Sequence, residues 1–304
     1  MTRFLSVILI FFLSIFACQA KTLRVGPNQT YKLPSQAAEV AQNGDHIQID
    51  PGEYFDCAVW HADNLVIEGT GPGVVIRDKT CWGKGLFVIA AENTTVRNLT
   101  LTRARVPDNN GAGIRLDKGN LVVDGVKFID NQEGILAAQS GATITIKNSD
   151  FEKNGFCAGA CAHGIYVGDA KLLRVEHSRF NATRQGHSIK SRALRTEVTG
   201  CEISDGPDGT SSYLIDISNG GAVVVRDNVL EKGPKSENHT AAIAIGAEGV
   251  THPTPEIIIA GNTFKNDGSA NTAFVWNLTA TPAELTGNKL SGPVTPLKGD
   301  GSSK

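Results

Sequence analysis

The sequence predicts an all-β solenoid, a fold in which short strands form coils that stack along one axis. The first observation is an apolar residue that recurs near the end of a short strand, at intervals of 23 to 34 residues. It occurs at Leu101, Phe128, Phe151, Phe180, Ile203, Leu230, Phe264 and Leu290. A period in this range is typical of a solenoid, because each unit is too thin to bury its own apolar face and stacks on its neighbours.

The second observation is an apolar pair split by one residue, which returns with a similar period. It appears at Ile114–Leu116, Ile135–Ala137, Ile165–Val167, Ile189–Ser191, Ile215–Ile217 and Ile243–Ile245. Alternation with period two, bounded by Gly, Asn and Asp, indicates β-strands. After the first 20 residues, only Ser35–Asn43 shows a helical period. We therefore predict about eight to ten β coils in one domain, residues 21–304.

Residues 1–20 have the pattern of a secretory signal peptide. Arg3 precedes the apolar run Phe4–Phe16, and small residues follow up to Ala20. The run is too short to span a bilayer comfortably, and no second apolar segment follows it. We therefore expect a secreted or periplasmic mature chain without a membrane span. A membrane anchor and a lipoprotein modified at Cys18 are the alternatives.

The charge of the chain is nearly balanced, with a formal net charge of −2 and 20% charged residues. Such a chain produces no global electrostatic field that would recruit nucleic acid. We therefore expect no nucleic-acid partner. The sequence predicts no particular oligomeric state.

Five cysteines remain when residues 1–20 are removed, which is an odd number. An oxidising compartment favours disulfides between Cys57 and Cys81 and between Cys157 and Cys161. Cys201 is then left over, and we expect it to be a buried thiol. Spacing alone does not fix the connectivity, so other pairings stay open.

Alternation within the strands places a set of polar side chains on one outer face. The branched residues of each strand point inward, so the residue between each apolar pair points outward. This outward column holds Arg115, Leu136, Tyr166, Lys190, Asp216 and Ala244. Neighbouring strands lie about 4.8 Å apart, so Tyr166, Lys190 and Asp216 are predicted to be side-chain neighbours. Arg192 follows Lys190 on the same face, and Asn219 lies just beyond the Asp216 strand.

Two further sets of residues precede the outward column. Small residues occur two positions earlier, and we expect them to leave a groove beside the charged side chains. They are Gly113, Gly134, Gly164 and Ser188. The residues three positions earlier lie where a coil should bend, so alternation does not decide the direction of their side chains. If the bend exposes them, they lie at the edge of the same patch. They are Glu133, His163, His187 and Tyr213.

The beginning of the chain after residue 20 carries a distinctive series of segments. They are Thr22–Val25, the helical stretch Ser35–Asn43, Gly44–Asp45, Ile47–Ile49, Pro51–Gly52 and Tyr54. This series resembles the capping region of the right-handed parallel β-helix proteins of the pectin-lyase-like superfamily. The resemblance implies a right-handed parallel β-helix with a short N-terminal capping helix. It leaves the activity open, because this architecture hosts polysaccharide lyases, glycoside hydrolases, esterases, epimerases and non-catalytic adhesins.

Within that superfamily, the segment Ile189–Ser191 is similar to the segment of alginate and chondroitin lyases in which a lysine acts as the base. The acidic calcium ligands that the family places ahead of this lysine are replaced here by Gly186, His187 and Ser188. The sequence therefore identifies no cofactor and no metal ligand set, and calcium stays an open alternative.

The residues of the patch match the requirements of β-elimination on an acidic, uronate-containing polysaccharide. This reaction needs a cation for the sugar carboxylate, a base for the C5 proton and an acid for the leaving oxygen. The predicted catalytic residues are Lys190 as base or carboxylate partner, Arg192 as carboxylate clamp, Tyr166 or Tyr213 as acid, His187 and His163 as proton carriers, and Asp216 as orienting group. The predicted substrate-binding residues are Arg115, Glu133 and Asn219.

Three alternatives remain open at this point. A glycoside hydrolase would need two carboxyl groups across the bond, for which Asp216 and Glu133 are candidates. A non-catalytic carbohydrate-binding or envelope protein would use the same face without turnover. The polar column would otherwise be a cross-strand charge ladder that keeps an exposed sheet soluble.

Overall fold

In the computed structural model, residues 20–138 and 140–304 are described. In this part of the chain, successive strands run in turn through three parallel sheets and so build a solenoid. The predicted signal peptide, apart from Ala20, lies outside the described residues. No helix in the described ranges is both long enough and apolar enough to span a bilayer.

Over residues 20–138 and 140–304, the first sheet has twelve strands and the other two have ten each. The first sheet contains Thr22–Val25, His46–Ile49, Val66–Gly69, Thr94–Arg97, Leu121–Asp124, Thr143–Lys147, Leu172–Glu176, Arg195–Thr199, Ala222–Arg226, Ile257–Ala260, Ala283–Thr286 and Gly301–Ser303. The second sheet, called the site sheet below, contains Ala58–Trp60, Gly85–Ala90, Ala112–Lys118, Glu133–Ala137, Ile165–Val167, Ile189–Ser191, Ile215–Ile217, Ala241–Ile245, Thr272–Asn277 and Val294–Lys298. The third sheet contains Gly52–Phe55, Val74–Arg77, Thr100–Thr102, Lys127–Ile129, Asp150–Glu152, Arg179–Asn181, Glu202–Ser204, Val229–Lys232, Thr263–Asn266 and Lys289–Ser291.

The register of the sheets confirms the predicted stacking. In the site sheet, the first apolar residue of each pair is buried and lies opposite its counterpart on the next strand. These residues are Ile114, Ile135, Ile165, Ile189, Ile215 and Ile243. The eight apolar residues that end the repeat pair in the same way along the third sheet, from Leu101 to Leu290.

Polar turn residues connect the first sheet to the third. Asn148 and Gly261 occupy equivalent positions there, with φ of 51° and 68°. Only residues that tolerate the left-handed region fit such a turn, which explains the Gly and Asn between the apolar runs.

The interior beside the site sheet contains a stack of aromatic rings. Phe151 lies between Phe128 and Phe180, with ring centroids 4.6 and 4.5 Å away and nearly parallel planes. A Cβ atom on Gly113 would lie 2.7 Å from Phe128, and one on Gly134 would lie 2.9 Å from Phe151. These glycines therefore face the core and make room for the rings. The predicted outer groove of small residues is wrong, because all four of these residues are buried and the ladder pairing skips Gly113 and Gly134.

A short helix, Pro34–Val40, is present near the beginning of the described chain. It ends before the predicted boundary at Asn43, because Ala41 has an extended backbone conformation with ψ of 139°. Ala37 on this helix is buried in the apolar core. The capping role of the helix stays a prediction.

The structure confirms both predicted disulfides, Cys57–Cys81 and Cys157–Cys161. The second one joins directly opposed residues of an antiparallel hairpin, Phe156–Ala158 with Ala160–Ala162. Cys201 is a free, buried thiol, and burial raises its pKa to about 11. Such a thiol is unreactive at neutral pH, since the thiolate is the nucleophile.

Candidate active site

Two residues of the outward column, Tyr166 and Lys190, line a pocket. Tyr166 lies directly opposite Lys190, and Lys190 lies directly opposite Asp216. The pocket has a volume of about 390 Å³. It is lined by Ala160, Cys161, His163, Tyr166, His187, Lys190, Arg192 and Glu248. Two consecutive strands with the segments that flank them, the disulfide-bonded hairpin and the loop of residues 246–256 therefore contribute to one concave surface.

Lys190 is the central cation of this pocket. Its side chain is covered by neighbouring groups, and the residue is 6% exposed. Its ammonium group lies 3.2 Å from Asp216 Oδ2 and donates a hydrogen bond to Glu248 Oε1. Two carboxylates thus balance one buried positive charge, as burial of a charge requires.

Asp216 lies beneath Lys190 and is 1% exposed. Its Oδ2 atom accepts hydrogen bonds from Ser218 Oγ at 2.7 Å and from Lys190, and His187 Nε2 lies 3.5 Å away. Burial raises the pKa of this carboxyl group, and the nearby lysine opposes the rise. The position suits a group that orients Lys190 and cannot itself reach a polysaccharide.

Arg192 flanks Lys190 on the same strand face. Its NH1 group donates to Asn219 Oδ1 at 2.9 Å, and its NH2 group donates to Glu248 Oε2. The guanidinium carbon lies 5.7 Å from the centre of the Tyr166 ring, and Lys190 Nζ lies 6.0 Å from it. The tyrosine ring therefore faces two cations, an arrangement that holds both side chains in place.

The residues whose direction alternation could not decide stack beside the pocket. The rings of His163 and His187 are 5.0 Å apart, and the rings of His187 and Tyr213 are 5.1 Å apart, both nearly parallel. His163 also meets the Tyr166 ring edge to face at 5.6 Å. The bend therefore turns this stack toward the same patch as Lys190.

Backbone hydrogen bonds fix the tautomer of both imidazoles. The backbone N–H of His187 donates to His163 Nδ1 at 2.9 Å, and that of Tyr213 donates to His187 Nδ1 at 3.0 Å. A ring nitrogen that accepts a hydrogen bond carries no proton, so each neutral ring carries its proton on Nε2. The two rings therefore act as hydrogen-bond donors, and the proton-carrier role expected from the sequence does not suit this tautomer.

Burial keeps both imidazoles neutral. It holds the pKa of His163 well below its usual value of 6.5, and it lowers the pKa of His187 to about 3, with Lys190 adding to the effect. Burial penalises the charged form of any group, and a neighbouring cation penalises a second positive charge. Neither ring is an imidazolium at neutral pH.

Stability should depend on pH through His187. The unfolded chain binds a proton at this residue as the pH falls through about 6.5, whereas the folded chain binds it only near pH 3. The resulting contribution to stability is complete above pH 6.5 and is lost toward pH 3. We expect the loss to reach about 3 kcal/mol at pH 4 and to be absent in His187→Gln.

Chemical denaturation of both proteins between pH 7.5 and 4 measures this effect. Burial raises the pKa of Asp216 and Glu133, so these two carboxyl groups favour the folded state as the pH falls. The difference in unfolding free energy between wild type and His187→Gln at each pH therefore isolates the effect of His187. The exposed His177 provides a control, and His177→Gln should follow the wild type. Parallel curves for wild type and His187→Gln would contradict the expectation.

Two of the three predicted substrate-binding residues lie apart from the pocket centre. Glu133 is buried, and burial raises the pKa of its carboxyl group well above the usual value, so it is not on the surface. Arg115 donates to Asp117 Oδ1 at 3.1 Å, and the buried Leu136 separates it from Tyr166. Asn219 lies at the site, where it supports Arg192.

Glu248 is a functional candidate that the repeat does not place at the site. It lies in an irregular loop, so no repeat places it next to Lys190 and Arg192. A weak signal was present, because the connection between the Ala241–Ile245 and Ile257–Ala260 strands is long for this solenoid. Within residues 20–138 and 140–304, no group of three or more His, Cys, Asp and Glu side chains is arranged to hold a metal ion.

Comparisons with known proteins agree with this architecture. A family model described as a right-handed beta helix region matches residues 64–162. No curated protein matches the chain.

Solved structures provide a broader match. An alginate lyase from Paenibacillus sp. str. FPU-7 superposes with a TM-score of 0.61 and 18% identity over 93% of this chain and 99% of that chain. A pectin methylesterase from Aspergillus niger superposes with a TM-score of 0.54 and 13% identity. The match covers 93% of this chain and 90% of that chain. A pectate lyase superposes with a TM-score of 0.54 and 12% identity. The match covers 93% of this chain and 78% of that chain. The chain thus shares the right-handed parallel β-helix fold with these structures.

Proposed function

We propose that this protein is a secreted or periplasmic lyase that cleaves a uronate-containing polysaccharide by β-elimination. The observation that carries the proposal is the convergence of Lys190, Arg192 and Tyr166 on one pocket. The names of two similar structures, an alginate lyase and a pectate lyase, support the choice of polymer and reaction. Secretion rests on the pattern of residues 1–20.

The pocket supplies the three groups that β-elimination needs. Arg192 binds the sugar carboxylate through its planar fork and thereby stabilises the negative charge that develops when C5 loses its proton. Lys190 is an ammonium group when it contacts Asp216 and Glu248, so it releases a proton to solvent before its amine takes the C5 proton. The C5 electron pair forms the C4–C5 double bond, the C4–O bond breaks, and Tyr166 donates its hydroxyl proton to the leaving oxygen.

The remaining polar groups position these three. Ser218 donates a hydrogen bond to Asp216, Asp216 in turn holds Lys190 from below, and Asn219 holds Arg192. The neutral imidazole of His187 directs its N–H toward Asp216. These contacts reduce the reorganisation that the reaction requires, which is the main way in which preorganised sites lower a barrier.

Hydrolysis is less well supported by the geometry. A glycoside hydrolase needs two carboxyl groups on opposite sides of the scissile bond. Asp216 and Glu133 are both about 1% exposed, so neither can flank a sugar in the pocket. Glu248 and Asp216 both contact Lys190, which neutralises the two carboxylates.

Incubation with alginate, pectate and glycosaminoglycans tests the proposal. We expect at least one polymer to yield unsaturated uronate ends, detected as new ultraviolet absorbance. New reducing ends without that absorbance would indicate hydrolysis instead. If no polymer yields unsaturated ends or new reducing ends, the proposal is overturned, and a binding protein or a structural charge ladder is favoured.

A further inference from the structure

We propose that the Glu248 carboxylate occupies the position of the substrate carboxylate in the free protein, so that an acidic sugar displaces it on binding. Glu248 is then a specificity-determining residue of the pocket. This inference rests on the proposed function, because it concerns the group that the same pocket recognises. It also names the recognised chemical group as a planar carboxylate held by two cations at once.

The contacts of Glu248 are those expected of a bound ligand carboxylate. One oxygen accepts a hydrogen bond from Lys190 Nζ, and the other accepts one from Arg192 NH2. Both cations border the pocket, and both belong to the rigid site sheet or its immediate extension. A uronate carboxylate has the same shape and charge, so it can make the same two hydrogen bonds.

The backbone of the loop is anchored independently of this carboxylate. The Glu248 N–H donates to Ser218 O at 3.0 Å, and the Asn219 side chain donates to Gly249 O at 2.9 Å. His252 Nε2 lies 2.9 Å from the Arg192 carbonyl oxygen. Rotation of one side chain therefore suffices to remove the carboxylate, and the loop itself can stay in place.

The exposure of the three partners indicates which one moves. The Glu248 side chain is 40% exposed, whereas the Lys190 side chain is 8% exposed. Arg192 keeps its hydrogen bond to Asn219 and its contact with the Tyr166 ring when Glu248 leaves. Glu248 is the most exposed member of both ion pairs and water competes for its carboxylate, so a ligand carboxylate can exchange for it.

This arrangement selects ligands by charge. A neutral sugar cannot replace the hydrogen bonds and the charge that Glu248 gives to Lys190 and Arg192, so it leaves the internal contact intact. An acidic sugar replaces both. The site therefore discriminates against neutral polysaccharides through competition from its own side chain, in addition to any direct contact with the substrate.

Calorimetric titration with trisaccharides of galacturonate and of mannuronate tests this inference without requiring turnover. Removal of the competing charge in Glu248→Gln should tighten binding of at least one acidic trisaccharide by roughly tenfold. Maltotriose, a neutral trisaccharide, should bind neither protein. Glu256→Gln is a matched control, because Glu256 is 39% exposed in its side chain and pairs with Arg195 at 2.7 Å near the end of the same loop.

Further variants and outcomes complete the test. Glu248→Ala should show the same gain, and Lys190→Ala added to Glu248→Gln should abolish it. Unchanged or weaker binding by Glu248→Gln, or no binding of either acidic trisaccharide by any variant, would overturn the inference and make Glu248 a support for the two cations. Absence of unsaturated products with tighter binding by Glu248→Gln would overturn the lyase proposal alone.

Discussion

Replacement of Lys190 with alanine is expected to lower kcat/KM on the responsive polymer by roughly a thousandfold or more. The change removes the proposed base, which contacts Asp216 and Glu248 in the free protein. It leaves Arg192 and Tyr166 in place, so weak binding of the polymer should persist. Initial rates of ultraviolet absorbance increase, measured with wild type and variant at several polymer concentrations, provide the comparison.

The same change also disturbs stability, and the controls separate the two effects. Without Lys190, the buried Asp216 loses its nearest cation, which disfavours the folded state if the carboxyl group stays ionised. Lys190→Ala combined with Asp216→Asn removes both charges, and we expect it to fold without regaining activity. Lys265→Ala serves as a matched control, because Lys265 is exposed and pairs only locally with Asp267 at 2.7 Å. Activity near the wild-type level in Lys190→Ala would refute its assignment as base.

Replacement of Phe151 with alanine is expected to lower the free energy of unfolding by about 4 kcal/mol. Its ring is buried between two others, and the backbone glycines around it leave no side chain that could fill the space. The cavity would lie inside the solenoid beneath the coils that carry the pocket. Equilibrium denaturation in urea, monitored by circular dichroism, measures the change.

The exposed Phe55 supplies the control for this prediction. It is 62% exposed, so Phe55→Ala should change the free energy of unfolding by less than about 0.5 kcal/mol. A Phe151→Ala variant as stable as the Phe55→Ala variant would show that the ring stack is not a principal source of stability. Lower stability together with an unchanged denaturant slope would indicate that the solenoid still unfolds over the same surface.

The repeat carries enough information to predict the solenoid and much of the site's register. Ile189 and Ile215 are buried opposite each other as expected, and this alone brings Lys190 beside Asp216. The reason is that the side-chain period of a strand is two and that successive coils align their apolar residues. Residues more than twenty positions apart could therefore be placed side by side without coordinates.

The parts that could not be predicted depend on bends and irregular loops. Alternation assigned Gly113 and Gly134 to the outside, but both lie where the ladder pairing is interrupted inside their strands, and both face the phenylalanine rings. Bends at Gly164 and Ser188 bring His163 and His187 to the pocket, which alternation alone could not decide. Glu248 lies in a loop without periodicity, so only the coordinates place it on Lys190.

The origin of the pocket in consecutive coils has a consequence for how such sites can change. Three successive coils contribute Tyr166, Lys190 and Asp216. Each coil begins and ends at equivalent positions of the repeat. Loss or duplication of one whole coil by recombination would keep the apolar ladders continuous while giving each polar side chain a new neighbour. Excision of residues 165–188, for example, would set Lys190 against Leu136 and remove Tyr166. New chemistry on this scaffold can thus arise from shuffling modules, with no change to the residues that make it fold.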